Sequence, residues 1–376
     1  MAFRFIHTAD WQIGRSFKRF EPELAAQLAA ARLDVIEKIG EIAKANAVNH
    51  VLVAGDVWDM AAPSDRLLRQ PLDRMAALDS LTWWLMPGNH DPAQKHGLWD
   101  RLNAMGLPAN VKTLTVQETV YPEPGVAVLP APYHSKNPGK DLTAAYQTME
   151  VKDGSIRIGL AHGGVEGFFD QSAQSSALDK DRANRANLDY LALGDWHGAV
   201  EVNEKTWYSG TPEPDRFPSN DPGWVLIVDA DRGAVPTVKR VRTGKYTWTR
   251  DRIDCVEGID PKTELTELFD AHGPRHLRLS RLELRGELRL AERMELLTFL
   301  DTERVSLAHL RERYNGLSTV VDYDSLDDII SDGALRDAAG DIVNRVNDKA
   351  LPDEDKAIAA RALDLLATLS QKEAAS

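Results

Sequence analysis

The sequence predicts an α/β fold divided into two or three domains. Within the first 230 residues, short apolar runs alternate with sharp polar loops and helical stretches, which is the pattern of layered α/β proteins. The length of 376 residues agrees with this division, since a domain usually has roughly 100–200 residues. With 43% hydrophobic and 27% charged residues, the composition is globular and excludes a wholly disordered chain.

The predicted strands of the first region are apolar runs of strand length. They fall at residues 3–6, 51–54, 81–86, 126–129, 156–161, 191–193 and 224–228. A long helix is predicted over residues 23–46, because apolar residues such as Leu28 and Val35 recur there at three- and four-residue spacing. A second helix is expected to begin after Ser64, a favourable N-cap residue.

Beyond this region the pattern changes to longer alternating segments and then to helices. Residues 239–254 alternate like an exposed strand or hairpin arm, and residues 276–290 alternate again. We interpret this part as a smaller α/β domain. Two helices are predicted after it, over residues 327–346 and 353–369, separated by Pro352.

Charge is unevenly distributed along the chain. The formal net charge of −13 argues against binding nucleic acid through bulk charge. Residues 321–376 hold 13 acidic and 6 basic residues, which is more than half of the excess. Residues 239–252 are basic, with Tyr246 and Trp248 interleaved. That segment could bind a phosphate backbone, although the exposed face of an edge strand is the favoured interpretation.

The cysteine content and the hydropathy indicate the compartment. Cys255 is the single cysteine, so no intramolecular disulfide can form and a reducing compartment is expected. No run approaches the roughly 18 apolar residues of a membrane span. The first residues also lack the basic flank and apolar block of a signal peptide. We therefore expect a cytoplasmic protein without a membrane partner.

Polar side chains follow nearly every predicted strand of the first 200 residues. The loops contain Asp10, the segment 55–59, the segment 88–91, His162 with Gly163, and the segment 194–197. Since strand ends of an open α/β sheet meet at one edge, these side chains can converge. Oxygen and imidazole ligands suit Mn²⁺, Fe²⁺, Zn²⁺ or Mg²⁺. Two such ions can clamp a phosphoryl group, so phosphoester hydrolysis is the expected chemistry.

The order of these motifs resembles that of the calcineurin-like metallophosphoesterases. The segments HTADWQIG, PGNHD, LDYLALGDWHG and YSGT resemble the DNA-repair exonuclease branch in particular, the SbcD-type nuclease subunits. The resemblance implies a four-layer αββα sandwich with a smaller α/β capping domain and C-terminal helices. It implies a nuclease domain over residues 1–235, a capping and DNA-binding domain over 236–320, and an acidic helical tail over 321–376 that docks a partner.

The resemblance also implies roles for individual residues. Asp10 and His197 would bind a first metal ion, Asp56 would bridge, and Asn89 with His162 would bind a second. His90 would act as the general acid, with Asp91 or a neighbouring carbonyl setting its tautomer. The complete set of residues predicted for metal binding and catalysis is Asp10, Gln12, Asp56, Asn89, His90, Asp91, His162, Asp195 and His197.

Two of these positions depart from the family pattern. Gln12 stands where a histidine is usual in the first metal site, and its amide oxygen would be a weaker ligand. Asp195 stands where a histidine is usual in the second site, and its carboxylate is a hard ligand that favours Mn²⁺ or Mg²⁺. We expect two divalent ions, with Mn²⁺ as the first candidate and Mg²⁺, Fe²⁺ or Zn²⁺ as alternatives.

The resemblance implies DNA as substrate, an SMC-like ATPase of the SbcC type as partner, and a homodimer. His134, Lys136 and Lys140, in a loop rich in proline and glycine, are candidates for binding the substrate backbone. Two alternatives stay open. One is a small-molecule phosphodiesterase or phosphatase. The other, motivated by Gln12 and Asp195, is a weakly active scaffold subunit.

Overall fold

The computed structural model describes residues 2–167, 177–217, 220–271, 273–320 and 333–374. The chain forms two compact units, Met1–Tyr246 and Thr247–Ser376. Within the described ranges, no helix is both long enough and apolar enough to cross a bilayer.

The first unit contains eleven described strands and four α-helices. In chain order they are β1 (Phe3–Thr8), α1 (Pro22–Ala45), β2 (His50–Val53), α2 (Asp65–Ala76), β3 (Thr82–Leu85), α3 (Leu98–Met105), β4 (Val111–Thr113), β5 (Val126–Pro130), β6 (Ile156–His162), α4 (Arg182–Arg185), β7 (Tyr190–Gly194), β8 (Val200–Asn203), β9 (Thr206–Tyr208), β10 (Trp224–Ala230) and β11 (Thr237–Arg242). As predicted, Ser64 caps α2, because its Oγ accepts a hydrogen bond from the backbone N–H of Leu67.

These strands form two sheets that pack face to face. One sheet has the order β11-β10-β1-β2-β3-β4, with β1 to β4 parallel, and the other has the order β5-β6-β7-β9-β8. Because successive side chains of a strand point to opposite faces, Ile6 joins the apolar cluster under α1 and α2, whereas Phe5 joins the cluster between the sheets. Leu191 and Ala192 divide in the same way on the second sheet. The predicted four-layer αββα arrangement is confirmed.

The second unit is a parallel sheet with helices. Its elements are β12 (Thr247–Cys255), α5 (Lys262–Asp270), β13 (Arg278–Arg289), α6 (Leu290–Ser306), β14 (His309–Val320), α7 (Ala334–Asn347) and α8 (Asp353–Ala374). The strands pair in the order β12-β13-β14. Leu265 of α5 and Leu300 of α6 share an apolar cluster with sheet residues such as Leu284. Leu290 and Val343 belong to a second cluster, which joins α6 to the last two helices.

The boundary between the units differs from the one that the sequence predicted at residue 235. The first unit continues to Tyr246 because β11 pairs antiparallel with β10. The loop after β11 is held there as well, since the Glu213 carboxylate accepts hydrogen bonds from the backbone N–H groups of Lys245 and Tyr246. The alternating segment 239–254 is therefore split between two sheets. Residues 321–332, where the predicted tail begins, lie outside the described residues.

Candidate metal centre

The centre is built on backbone turns at the ends of β1, β2 and β7. Asp10, Gln12, Asp56 and Asp195 all have positive φ, at 54°, 44°, 54° and 96°. Non-glycine residues rarely adopt this conformation, and it persists where the surroundings enforce it, often at functional sites. Backbone hydrogen bonds join the first two loops, from the Asp10 N–H to the Gly55 carbonyl and from the Gln12 N–H to the Asp56 carbonyl.

The turns bring buried ligand atoms together. One ligand atom each of Asp10, Asp56 and His162 lies within 4.8 Å of the other two, and all three residues are buried. Burial, together with the neighbouring carboxylates, raises the pKa of Asp10 to about 6. So dense a group of buried carboxylates requires positive charge nearby.

We call Asp56, Asn89, His162 and Asp195 the second site. His162 Nε2 lies 3.5 Å from Asp56 Oδ1 and 3.8 Å from Asp195 Oδ1. The Nδ1–H of His162 donates to the Ala54 carbonyl at 2.8 Å, which turns Nε2 towards the carboxylates. Asn89 donates its Nδ2 to Asp195 Oδ1 at 3.4 Å, which leaves its own Oδ1 for another partner.

The donor atoms of the second site fit a divalent cation. Asn89 Oδ1 and His162 Nε2 are buried, and neither has a hydrogen-bond partner among the described residues. Burial lowers the pKa of His162, but the carboxylates of Asp56, Asp10 and Asp195 outweigh this and raise it to about 9. A bound cation would take the place of that proton as the counter-charge.

We call Asp10, Gln12 and His197, together with the shared Asp56, the first site. His197 Nε2 lies 3.9 Å from Asp10 Oδ1, and its Nδ1 lies 3.2 Å from Asp215 Oδ1. Burial raises the pKa of Asp215, but the hydrogen bond from His197 and the charges of nearby arginines hold it well below its usual range. An ionised carboxylate at Nδ1 orients the imidazole with Nε2 facing Asp10.

Gln12 presents its amide nitrogen to the first site. Its Oε1 accepts a hydrogen bond of 2.7 Å from Arg15, and because a guanidinium only donates, the atom facing Arg15 must be the oxygen. The Gln12 Nε2 lies 3.3 Å from Asp56 Oδ2 and 3.3 Å from His197 Nε2. The amide oxygen thus faces Arg15 in this structure, and its role as a weak metal ligand stays a prediction.

His90 lies beside the Asp56 carboxylate and remains accessible. Its backbone N–H donates to Asp56 Oδ1 at 2.9 Å, and its Nε2 lies 4.0 Å from Asp56 Oδ2. Nδ1 lies 3.4 Å from the Asp59 carbonyl and 3.5 Å from the Asp59 carboxylate. With 37% of the side chain exposed, the ring can reach a bound substrate.

Asp91 contacts backbone groups of two loops. It is fully buried, and its carboxylate accepts hydrogen bonds from the backbone N–H groups of Gly88 and Trp58. Burial raises its pKa well above the usual value. Asp91 thus joins the loops after β2 and β3, while Asp59 supplies the carbonyl that orients His90.

The predicted substrate residues lie at the surface. His134, Lys136 and Lys140 are exposed, and His134 contacts the backbone carbonyl of Ala93. Tyr133, at the base of their loop, is buried with its ring edge-on to His162 at 5.7 Å between centroids. Within the described part of the chain, no hydrogen bond joins the three polar residues to the ligand side chains, and their role stays a prediction.

Sequence reasoning missed the residues that support the candidate ligands. Arg32 of α1 is buried and donates to the backbone carbonyls of Trp11 and Asp10. A signal for it existed, because Arg32 interrupts the apolar stripe of its helix between Leu28 and Val35. Arg15 and Asp215 gave no comparable signal.

The four-layer sandwich and its cluster of buried carboxylate, imidazole and amide side chains define a metal-dependent phosphoesterase. The chain belongs to the calcineurin-like phosphoesterase family, whose family model matches residues 3–307.

Individual relatives match smaller parts or at lower identity. The D subunit of the SbcCD nuclease of Rhodobacter capsulatus is 40% identical over 96 residues, which cover 24% of this chain and 22% of that protein. The matched segment is therefore about a fifth of that relative's length. The crystal structure of TT1561 of Thermus thermophilus has a TM-score of 0.42 and 12% identity, covering 65% of this chain and 100% of that one.

Proposed function

We propose that this chain is a two-metal-dependent DNA phosphodiesterase, an exonuclease or endonuclease that processes DNA ends or repairs DNA. The observation that carries the proposal is the position of the accessible His90 beside the buried bridging carboxylate of Asp56. The choice of DNA as substrate is supported by the segment that is 40% identical to part of a nuclease.

Asp10, His197 and Asp56 would hold one divalent ion, while Asp56, Asn89, His162 and Asp195 would hold the other. When bound, the two metal ions supply positive charge that orients and polarises the scissile phosphate. We take Mn²⁺ as the first candidate, because the carboxylate of Asp195 adds a hard oxygen ligand.

The side chains of this protein supply the proton transfer. His90 would donate a proton to the leaving oxygen as a water molecule attacks the phosphorus and the phosphoester bond breaks, and the proton that the water loses would pass to solvent. The Asp59 carbonyl, 3.4 Å from Nδ1, favours a proton on that nitrogen and leaves Nε2 to exchange protons with the substrate. The hydrogen bond from the His90 backbone N–H to Asp56 Oδ1 keeps His90 next to this carboxylate.

The partner, the assembly and the domain roles belong to the same proposal. The relative's name designates it a subunit of SbcCD, which supports an SMC-like ATPase of the SbcC type as partner and a homodimer of nuclease subunits. We assign DNA contact to the loop with His134, Lys136 and Lys140 and to the second unit. The acidic C-terminal helices would repel DNA and suit partner docking.

The test is a Mn²⁺-dependent cleavage assay on labelled single- and double-stranded oligonucleotides. Wild type is compared with Asp56→Ala and with Asp153→Ala, a matched change at an exposed aspartate. We expect cleavage by wild type and Asp153→Ala only. Parallel assays use bis-p-nitrophenyl phosphate and cyclic nucleotides.

Turnover of only the small substrates would replace the nuclease by a small-molecule phosphodiesterase. Bound metal without turnover of any substrate would favour the scaffold function.

A further inference from the structure

The two sites differ in how their ligand atoms are engaged. In the first site, Gln12 Nε2 lies 3.3 Å from both Asp56 Oδ2 and His197 Nε2. An amide nitrogen carries two N–H groups, so it can donate to both atoms at once. In the second site, Asn89 Oδ1 and His162 Nε2 are buried without a hydrogen-bond partner in the described part of the chain.

Arg15 determines that Gln12 acts as a donor. The guanidinium is held by the carboxylates of Asp59 at 3.2 Å and Asp215 at 3.0 Å, and it donates to Gln12 Oε1 at 2.7 Å. Rotating the amide to present its oxygen to the first site would place its NH₂ group against the guanidinium. Gln12 is only 2% exposed, so water could not relieve that contact between two donors.

The amide therefore occupies lone pairs that a cation would need. A divalent ion entering the first site has to displace the Gln12 N–H groups from Asp56 and His197. In the second site the amide nitrogen of Asn89 makes one such contact, at 3.4 Å to Asp195 Oδ1, but Asn89 Oδ1 and His162 Nε2 have no hydrogen-bond partner among the described residues. Asp195 also adds a carboxylate 3.8 Å from His162 Nε2.

We propose that Gln12, held by Arg15, competes with the first divalent ion. The protein then binds one ion tightly in the second site and another more weakly in the first. Arg15 is a positioning residue, because it acts through the orientation of Gln12. The inference refines the proposed function and rests on it only for the presence of two ions.

Substitution of Gln12 distinguishes a competitor from a metal ligand, because the affinity for the weaker ion changes in opposite directions in the two cases. Gln12→Met keeps the length of an unbranched side chain but removes the donor and offers only a thioether, a poor ligand for Mn²⁺. If Gln12 competes, this variant binds the weaker ion more tightly than wild type does. If Gln12 were a ligand, the variant would bind that ion more weakly.

The experiment titrates the metal-free full-length protein with Mn²⁺ and measures free Mn²⁺ by electron paramagnetic resonance. We expect wild type to bind two ions whose dissociation constants differ by about tenfold or more. Gln12→His, which supplies an imidazole, should tighten the weaker ion by about tenfold or more. Gln27→Met, at an exposed glutamine of α1, is the matched control and should change neither constant.

Two equally tight ions in wild type, or unchanged or weaker binding of the weaker ion by Gln12→Met, would overturn the inference. Gln12→Ala tests the same sign if the methionine variant does not fold. Cleavage is assayed separately, so unequal binding without nuclease activity would count against the proposed function and leave this inference standing.

Discussion

Replacing Asp215 with asparagine should weaken both the fold of the first unit and the first metal site. The carboxylate is buried at 2% exposure. It accepts a hydrogen bond from His197 Nδ1 at 3.2 Å and forms an ion pair with Arg15 Nε at 3.0 Å. Arg216 also contacts it at 3.1 Å, but half of that arginine side chain is exposed, so this pair contributes little.

The magnitude follows from these partners. Removing one member of a buried ion pair costs about 3–5 kcal/mol, because the other charge is left uncompensated. Asparagine keeps one acceptor oxygen and Arg15 is partly exposed, so we expect the lower end, about 3 kcal/mol. Losing the carboxylate behind His197 should also weaken Mn²⁺ binding by about 10–100-fold.

The assay is urea unfolding of the metal-free protein followed by tryptophan fluorescence. Eight of the nine tryptophans precede residue 247, so the signal reports mainly on the first unit. Asp153→Asn, an exposed and otherwise identical change, is the control. Equal unfolding free energies for Asp215→Asn and wild type would show that the carboxylate is not an essential partner of Arg15 and His197.

Three further predictions concern single residues of the first unit. His90→Ala should lower single-turnover cleavage by about 10²–10⁴-fold with unchanged metal content by mass spectrometry; retained turnover would remove His90 as the acid. Burial lowers the pKa of His7 to about 3 from 6.5. The unfolded state alone then takes up this proton below about pH 6.5, so stability is full above that pH and falls by about 1.4 kcal/mol per pH unit towards pH 3. His7→Gln should remove this part of the slope in urea titrations, and an unchanged slope would contradict the assignment. In Gly88→Ala the new Cβ would lie 2.2 Å from Asp56 Oδ1, so Mn²⁺ binding by calorimetry should weaken strongly; undiminished affinity would show that the two loops can separate.

Much of the fold follows from local pattern. The strand ends were predictable because an apolar run that stops at Asp, Asn or His leaves those side chains at the sheet edge, as at Asp10 and Asp56. The extent of the first unit was not predictable in this way. Alternation over residues 239–254 indicates strands, but it does not show that β11 pairs with β10 while β12 pairs with β13.

The candidate site, too, was predictable only in part. Ligand types and their order can be predicted from motifs, whereas the orientation of Gln12 depends on Arg15, which Asp215 holds from 200 positions further along the chain. Aspartate and arginine are common in loops, so neither residue is distinguished by its neighbours in sequence. For Asp91, likewise, the motif does not show that the carboxylate accepts hydrogen bonds from two backbone N–H groups.

The candidate metal ligands come from both sheets of the sandwich. Asp10, Asp56 and Asn89 follow strands of the six-stranded sheet. His162 is the last residue of a strand of the five-stranded sheet, and His197 follows another. Metal ions bound by these residues would therefore link the two sheets across an interface that otherwise consists of apolar side chains. Metal binding would therefore raise the free energy of unfolding of the sandwich by RT ln(1 + [metal]/Kd). A chelator would then lower stability as well as activity. Without the ions, the interface between the sheets would open more often, and amide hydrogens at the ends of β1 and β6 would exchange faster.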